Sequence, residues 1–314
     1  MSRPLVSVLI PCFNAERFVA AAIESVLEQS YPSIELIVVD DGSTDGSVER
    51  VQRFAGRGVR LIRQARGSAS AARNRAFAAS SGRQVLFLDA DDLIGPRHIE
   101  ALAERLGGAD DVVATGPWAR FRHDPAEAQF VPRPNDRDAS GTDWLIREWT
   151  GGQPMTQCGA FLIPRALIER RGGWDERLTL IDDFEFFARL LAAAERVLFA
   201  PEARLYYRSG VAGSLSGRKS RVAVESAYLS LTLAVDHLLT LDSSSAARRA
   251  SANILQSFDY EHYPYHGDLR ILARARAKEL GGADIAPVGP PRFHALRRLV
   301  GWRLARRLQL LARR

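Results

Sequence analysis

The sequence predicts an α/β fold built on a largely parallel, Rossmann-like sheet, and two observations in its first half support this. Short apolar runs rich in β-branched residues alternate with segments whose apolar residues recur at helical spacing. The apolar runs are continuous, as expected for strands that helices cover on both faces. Repeated strand–helix–strand units use right-handed crossovers, so we expect neighbouring strands to be parallel.

The predicted elements follow one another in order over residues 5–88. The strands are Leu5–Ile10, Ile34–Val39, Val59–Arg63 and Val85–Leu88. The first helix carries apolar residues at positions 18, 22, 23, 26 and 27 and ends before Tyr31-Pro32. The second helix is expected to begin at a cap formed by Ser43 or Thr44, and the third spans Ser70–Ser80.

The regular pattern weakens after Gly116, where a proline-rich segment, Pro125–Pro134, predicts a loop or flap. Order signals return over residues 155–207, and an apolar stripe at helical spacing begins beyond Ser220. We therefore predict an α/β domain over residues 1–218, a helical region over 219–290 and an arginine-rich helical tail over 291–314.

Composition places the chain among ordinary globular proteins. It has 314 residues, of which 46% are hydrophobic and 25% charged, so it is too apolar for a disordered chain. Its two cysteines, Cys12 and Cys158, match no metal or redox spacing and are expected to be buried free thiols in a reducing compartment. No stretch reaches the roughly 20 apolar residues of a membrane span, and no signal-peptide core is found. We therefore expect a cytoplasmic protein.

The net charge of +6 has a local origin. Residues 291–314 hold eight arginines and no acidic residue, and the remainder holds 35 basic against 37 acidic residues. The basicity therefore gives no support for nucleic acid binding by the fold. As a helix, the tail interleaves arginine with apolar residues, which predicts either an interfacial helix on an anionic membrane surface or a helix that its leucines pack onto the protein.

Aspartates follow two of the predicted strands. Asp40-Asp41 ends the second strand and Asp89-Ala90-Asp91-Asp92 ends the fourth, and the carboxyl ends of parallel strands are where such sheets bind ligands. Carboxylates packed this closely raise one another's pKa, and Mg²⁺ or Mn²⁺ would relieve the repulsion. The sequence thus points to a site for a metal and a diphosphate. The alternative is that each acidic cluster caps a turn and faces solvent.

Two further signals are weaker. Asp182-Asp183 precedes an apolar stripe, and an aspartate in this position is more often a helix cap than a base. Gly67, followed by Arg73-Asn74, could open a helix close to phosphate groups.

Taken as an ordered series, these segments resemble family 2 glycosyltransferases of the GT-A fold. The matching segments are VSVLIPCFN (6–14), VVDDGSTD (38–45), GSASAARNR (67–75), FLDADD (87–92), GGWDE (172–176), IDDFEFFAR (181–189) and LYYR (205–208). Together they cover roughly residues 5–216. A GT-A domain over residues 1–218 and a hexosyltransferase-type, inverting enzyme are therefore expected.

The resemblance also implies roles for individual residues. Pro11 and Asp41 are expected to contact a nucleobase, in a pocket that Asp40, Gly67 and Arg73 also line. Asp89 and Asp91 match the DxD pair, which holds the ribose, a divalent metal (Mg²⁺ or Mn²⁺) and the donor diphosphate; Asp92 receives no role.

The acceptor side follows from the same resemblance. Asp183 matches the catalytic base, Asp182 replaces the glutamate that usually precedes it, and Trp174 matches an aromatic residue that typically faces the acceptor. The implied partners are a nucleotide-sugar donor, expected to be a UDP-sugar, and a glycan or lipid-linked acceptor in the synthesis of a cell-surface polysaccharide or glycolipid. With the tail, the protein is expected to be peripheral on the inner face of the membrane.

Departures from the family pattern leave alternatives open. No Q-x-x-R-W sequence occurs and no series of membrane helices follows, which favours an enzyme that adds one or a few sugars. A sugar nucleotidyltransferase would share the α/β fold and the metal chemistry, but the glycine-rich phosphate loop expected after Leu5–Ile10 is missing. A non-catalytic carbohydrate-binding relative is the third alternative.

Overall fold

The computed structural model describes residues 3–210 and 220–312. Its main sheet has seven strands in the order β3-β2-β1-β4-β8-β6-β9. The strands are β1 (Val6–Cys12), β2 (Ile34–Asp40), β3 (Val59–Arg63), β4 (Gln84–Phe87), β6 (Val112–Thr115), β8 (Phe161–Pro164) and β9 (Arg196–Phe199). A smaller sheet, in the order β5-β10-β7, contains β5 (Leu93–Ile94), β7 (Trp118–Phe121) and β10 (Leu205–Arg208).

The α/β prediction is confirmed. β1 pairs in parallel with β2 and with β4, and β2 pairs in parallel with β3. β8 is the exception, because it runs antiparallel to both β4 and β6. The central strands are buried on both faces, in keeping with their continuous apolar sequences.

Helices flank the main sheet and continue beyond it. Those of the α/β part are α1 (Val19–Leu27), α2 (Ser47–Gln52), α3 (Ala69–Ala79), α4 (His98–Leu106), α5 (Gly141–Thr150), α6 (Arg165–Arg171) and α7 (Asp182–Ala193). Those that follow are α8 (Arg221–Leu241), α9 (Ser245–His262), α10 (Gly267–Glu279) and α11 (Pro291–Leu311). The predicted boundary at residues 218 and 219 lies outside the described residues.

The expected cap of the second helix is wrong. α2 begins at Ser47, and the side chains of Ser43 and Thr44 do not cap it. The Ser43 hydroxyl instead accepts a hydrogen bond from the backbone N–H of Asn14 (3.0 Å), and the Thr44 N–H donates to the Asn14 side chain (2.8 Å). These residues tie the loop after β1 to the loop after β2, a long-range contact that outweighs the local capping preference.

The C-terminal helices pack against the α/β part. Asn253 of α9 donates a hydrogen bond to the carbonyl of Thr150 (2.8 Å), at the end of α5, and His237 of α8 lies 3.0 Å from Glu185 of α7. α8 corrects the expectation that no stretch could span a membrane, because it is long and apolar enough by length and composition. Half of its most apolar window is buried inside the protein, as in the core helix of a globular domain.

The predicted burial of both cysteines as free thiols is confirmed. Cys12 and Cys158 are both buried free thiols. Burial raises the pKa of Cys12 to about 12 and that of Cys158 well above its usual value, so both stay protonated at neutral pH.

Candidate active site

The aspartates predicted at strand ends lie along one edge of the main sheet. Asp40 is the last residue of β2, and Asp89, Asp91 and Asp92 follow β4, while β1 lies between these strands with Pro11 paired to Val39. The Asp40 carboxylate lies 3.3 Å from the N–H of Ser43, so the turn-capping alternative holds in part for this residue.

Asp41 is held in a buried pocket. Its side chain accepts hydrogen bonds from the backbone N–H of Gly67 (2.8 Å), from the Gln64 amide (2.7 Å) and from Arg66 (2.5 Å). A Cβ atom at position 67 would lie 3.3 Å from the Asp41 carboxylate, so glycine permits this close approach. The Arg66 guanidinium in turn stacks 3.3 Å from the centre of the Phe13 ring. Asp41 and Gly67 are therefore neighbours, as the sequence predicts.

Arg73 joins the acidic clusters of two distant segments. One of its terminal nitrogens donates to Asp89 (2.8 Å) and the other to Asp182 (2.8 Å), which also accepts a hydrogen bond from the Ser70 hydroxyl (2.7 Å). The Arg73 side chain is buried, and its Nε has no hydrogen-bond partner among the described residues. The structure thus brings the strand-end acids and the Asp182-Asp183 pair to one site.

Trp174 differs from its expected acceptor-facing position. Its side chain is 3% exposed and stacks on Phe186 with the ring centres 4.0 Å apart, and the Arg73 guanidinium lies 4.3 Å from its ring. The indole ring therefore packs against the Arg73 guanidinium and is not exposed to solvent. The cause is the aromatic stripe of α7, which offers the ring an apolar partner.

Asn74 and Arg189 fix the loop that carries Trp174. The sequence analysis did not predict this role for either residue. Asn74 accepts a hydrogen bond from the Trp174 backbone N–H (2.8 Å) and donates one to its carbonyl (2.9 Å). Arg189, which forms an ion pair with the buried Glu185 (2.7 Å), donates hydrogen bonds to the carbonyls of Arg171, Gly172 and Gly173. Their motifs were visible in the sequence, but their partners lie up to 100 residues away.

Asp183 is the second residue of α7. The residue before this helix, Ile181, has a left-handed φ of 48°. A β-branched residue rarely adopts this conformation, and such strain of roughly 1–3 kcal/mol clusters at functional sites. The turn is held by α8, since the Ser226 hydroxyl accepts from the Thr179 N–H (2.7 Å) and the Ser230 hydroxyl donates to the Ile181 carbonyl (2.7 Å). No sequence signal had connected α8 with the site.

The pKa of Asp183 is raised to about 7, because burial and the adjacent Asp182 carboxylate both disfavour its charged form. Neither aspartate is the N-cap of α7, so the capping alternative is not met; the cap position is Ile181. Asp183 accepts a hydrogen bond from the Phe184 N–H (2.9 Å), which fixes one of its oxygens. A buried carboxylate with a pKa near neutrality can exchange a proton at physiological pH.

The aspartates after β4 repel one another. Burial and the Asp89 charge raise the pKa of Asp91 to about 6, and burial and the Asp91 charge raise the pKa of Asp92 well above its usual value. Asp92 accepts a hydrogen bond from the backbone N–H of Arg208 (2.8 Å), while the Arg208 side chain donates to the Asp91 carbonyl (2.9 Å). Asp92 therefore anchors β10 to the segment between β4 and β5, a role that the sequence could not assign.

The chemistry of this donor set fits a hard divalent cation. Asp89 and Asp91 offer carboxylate oxygens, which Mg²⁺ and Mn²⁺ prefer, and a cation would offset the repulsion that raises the pKa of Asp91. Within residues 3–210 and 220–312, no cluster of three or more His, Cys, Asp or Glu side chains is arranged to hold a metal. A cation here would therefore take one or two protein ligands and complete its shell with water and phosphate oxygens.

Tyr207 of β10 was part of a matched segment but had been given no role. Burial, followed by the charges of Asp92, Asp89 and Asp91, raises its pKa to about 12, so the phenol stays protonated. Its ring packs edge-on against Trp118 of β7, with the ring centres 5.8 Å apart. Tyr207 therefore lies close to these aspartates.

Comparison with known proteins agrees with this geometry. Residues 7–172 match the model of glycosyl transferase family 2. The chain belongs to this family. Among the relatives of this glycosyltransferase, YibD of Escherichia coli (strain K12), named an uncharacterized glycosyltransferase, is 36% identical over 156 residues, 46% of this chain and 45% of YibD.

EpsJ of Bacillus subtilis (strain 168), also named an uncharacterized glycosyltransferase, is 30% identical over 213 residues, 65% of this chain and 61% of EpsJ. The chain thus covers less than two thirds of the length of either relative. Among solved structures, S. aureus TarS 1-349 in complex with UDP-GlcNAc superimposes with a TM-score of 0.71 at 18% identity, covering 88% of this chain and 81% of that one. This family 2 glycosyltransferase therefore has the GT-A fold that the sequence predicted.

Proposed function

We propose that this glycosyltransferase moves a sugar from a nucleotide-sugar, a UDP-sugar in the first instance, to a hydroxyl group of a glycan or lipid-linked acceptor, with inversion at the anomeric carbon. The observation that carries the proposal is the Arg73 bridge, which holds the strand-end acid Asp89 and the Asp182-Asp183 pair at one site. Donor-side and acceptor-side carboxylates are thereby neighbours. That TarS was solved with UDP-GlcNAc supports a UDP-sugar donor.

The donor nucleotide would occupy the pocket of Asp41. Pro11 and Gly67 would form its walls, with Asp40 and Arg73 nearby, and Asp41 would accept a hydrogen bond from an N–H of the base. A carboxylate has about four lone-pair sites, and the three donors that now hold Asp41 leave one for a base.

Asp89 and Asp91 would hold a divalent cation. When bound, such a cation supplies positive charge that stabilises the departing nucleoside diphosphate. The chain's own contribution is to orient these carboxylates: Arg73 fixes Asp89, and Arg208 holds the backbone of Asp91.

Asp183 would act as the catalytic base. Its carboxylate would accept the proton of the acceptor hydroxyl while the hydroxyl oxygen attacks the anomeric carbon from the face opposite the diphosphate. Asp182, on the acceptor side, holds Arg73 and raises the pKa of Asp183, so that the base has a proton affinity suited to neutral pH. Trp174 would hold the Arg73 guanidinium in position by packing against it.

The experiment that tests this function is a thermal-shift panel of nucleotides and nucleotide-sugars with Mn²⁺, followed by hydrolysis assays. We expect uridine nucleotides to give the largest rise in melting temperature, because a ligand that binds the native state stabilises it by about 2.7 kcal/mol at 100 times its Kd. Hydrolysis of one UDP-sugar should follow. Pyrophosphate release from a nucleoside triphosphate would support a nucleotidyltransferase instead, and binding without turnover of any sugar nucleotide would support a carbohydrate-binding protein.

We further propose that α11 places the enzyme on an anionic membrane surface at the inner face, where a lipid-linked acceptor would be found. α11 packs on the protein through Phe293, Ala305 and the Trp302 ring, which lies 4.9 Å from the ring of Tyr260. Its exposed apolar residues are Leu299, Val300, Leu304, Leu308 and Leu311. The tail is thus packed on the protein, as the alternative expects, although through residues other than these five.

α11 breaks at Gly301, whose φ of 77° is not helical, so the apolar stripe proper is Leu304, Leu308 and Leu311 on the second segment. Exposed arginines lie at positions 298, 303 and 307. Long arginine side chains can keep their charge at the lipid headgroups while leucines enter the acyl boundary. Each arginine near an anionic surface contributes about 1 kcal/mol, so this surface combines both forces that hold an interfacial helix.

Replacing Leu304, Leu308 and Leu311 together by serine is expected to release the protein from anionic vesicles in a sedimentation assay. Changing Arg298, Arg303 and Arg307 to glutamine should weaken binding by roughly 10²-fold, at about 1 kcal/mol per charge. The control replaces Leu241 of α8 and Ile271 and Leu272 of α10 by serine, because these apolar residues are about as exposed as the three leucines. Equal vesicle binding by all variants would overturn the membrane proposal.

A further inference from the structure

Two aromatic rings and two arginines form a cluster beside the candidate active site. We call Trp118, Arg120, Arg133 and Tyr207 the Trp118 cluster. The parallel pairing of β7 and β10 sets Trp118 opposite Leu205 and Arg120 opposite Tyr207. Because side chains alternate along a strand, Trp118, Arg120 and Tyr207 share one face of the small sheet. The Tyr207 ring contacts Trp118, and the aspartates that follow β4 are close enough for their charges to act on its hydroxyl.

Arg133 lies on the proline-rich segment that the sequence predicted as a flap. Its guanidinium stacks 3.4 Å from the centre of the Trp118 ring and is half-buried. Its backbone N–H donates to Asp136 (2.9 Å), but its guanidinium forms no hydrogen bond or ion pair with residues 3–210 or 220–312. Arg120 adds a second guanidinium 5.9 Å from the same ring. Two positive charges therefore converge on Trp118.

A small cavity next to Trp118 contains a further donor without a partner. It has a volume of about 30 Å³, and Arg133 and Trp144 are among the residues that line it. The buried Trp144 Nε1–H has no partner in the described part of the chain. Two carboxylates also line the cavity, and neither pairs with the Arg133 guanidinium: Asp136 accepts from the Arg133 backbone N–H, and Glu148 accepts from Asn135 (2.9 Å) and from the Met155 N–H (3.0 Å). Donors without acceptors call for a ligand rich in oxygen.

We infer that the Trp118 cluster is the acceptor subsite next to the reacting sugar and that it binds an acidic saccharide, through a carboxylate or a phosphate group. The inference rests on the proposed function, because it places the acceptor on the Asp183 side of the cleft. The Trp118 and Tyr207 rings would pack against a sugar face, and the planar fork of Arg133 matches two anionic oxygens. A neutral saccharide would leave the Arg133 guanidinium without an ion pair, since Glu148 and Asp136 act on it at longer range.

The test is a binding titration by NMR, with the full chain saturated with UDP and Mn²⁺ so that the donor site is filled. The probes are glucose, glucuronate and glucose 6-phosphate, which share a ring and differ in charge. We expect one or both anions to bind at least tenfold more tightly than glucose, because a hydrogen bond to a charged group contributes about 1.5–3 kcal/mol. The two anionic probes distinguish a carboxylate from a phosphate.

Arg133→Gln should abolish this preference for anions, whereas Arg133→Lys should keep part of it, since lysine retains the charge but not the fork. Arg137→Gln is the matched control, because it removes an exposed arginine from the same loop. Equal binding of all three probes, or no effect of Arg133→Gln, would overturn the inference. Failure of the wild type to bind UDP would instead overturn the proposed function, so the two failures are distinguishable.

Discussion

Asp183→Asn is expected to slow sugar transfer by roughly 10²–10⁴-fold while leaving the Kd for UDP and for the donor within a few fold of the wild-type values. General-base catalysis by a positioned side chain contributes about this much. An asparagine cannot take the acceptor proton, but it has nearly the same shape and can still accept the hydrogen bond from the Phe184 N–H. Single-turnover transfer and UDP titration measure the two quantities separately.

The raised pKa of Asp183 provides a separate test that the Asp183→Asn variant is correctly folded. Because the folded-state pKa is raised to about 7, the charged carboxylate destabilises the fold at pH 8, and this cost disappears as the pH falls below the unfolded-state pKa of about 4. Asp183→Asn should therefore be more stable than the wild type at pH 8, by on the order of 2–4 kcal/mol in the free energy of unfolding, and not at pH 4.

Asp111→Asn, at a surface ion pair with Arg170, is the matched variant and should change neither transfer nor donor affinity. If Asp183→Asn lost donor binding and transfer to the same extent, Asp183 would be a structural residue. If transfer in the wild type did not decline as the pH fell through the pKa of Asp183, the base would have to be another group.

Local patterns were sufficient for the parts of the fold that depend on near neighbours. The continuous apolar runs identified β1, β2 and β4, since burial on both faces requires such runs and few other structures produce them. β3 was located as well, although only its first residue, Val59, is buried. The rule that parallel strands share a carboxyl edge then brought Asp41 and Asp91 to the same side of the sheet.

The parts that could not be predicted depend on contacts between distant segments. The turn at Ile181 is held by Ser226 and Ser230 of α8, and serine on the face of a helix carries no signal of its partner. The burial of Trp174 depends on Phe186, and a loop tryptophan is equally compatible with exposure. Asp92 anchors Arg208 across 116 residues of chain. Contacts of these kinds join segments that are distant in sequence, so only the tertiary fold determines them.

Asp91→Asn is expected to abolish the effect of Mn²⁺ or Mg²⁺ on UDP binding and to reduce transfer by at least roughly 10²-fold, a loss comparable to that of an essential electrostatic group. In the wild type, excess chelator should produce the same loss. The expected cause is electrostatic, because the diphosphate in the proposed site would approach Asp89 and Asp91, and burial together with the Asp89 charge already raises the pKa of Asp91. Asp110→Asn, at an exposed ion pair with Arg83, is the control.

The effect of Asp91→Asn on UDP affinity should change sign when the metal is removed. In chelator, no bound cation offsets the repulsion between the diphosphate and the carboxylates, so a variant with one negative charge fewer should bind UDP at least as tightly as the wild type. In Mn²⁺ the order should be the opposite, because Asp91→Asn has lost a ligand. A variant that merely disturbed the fold would bind UDP more weakly under both conditions. Two titrations of each protein, with and without metal, therefore separate a metal-ligating Asp91 from a structural one, and a wild type that keeps full transfer activity in chelator would contradict both expectations.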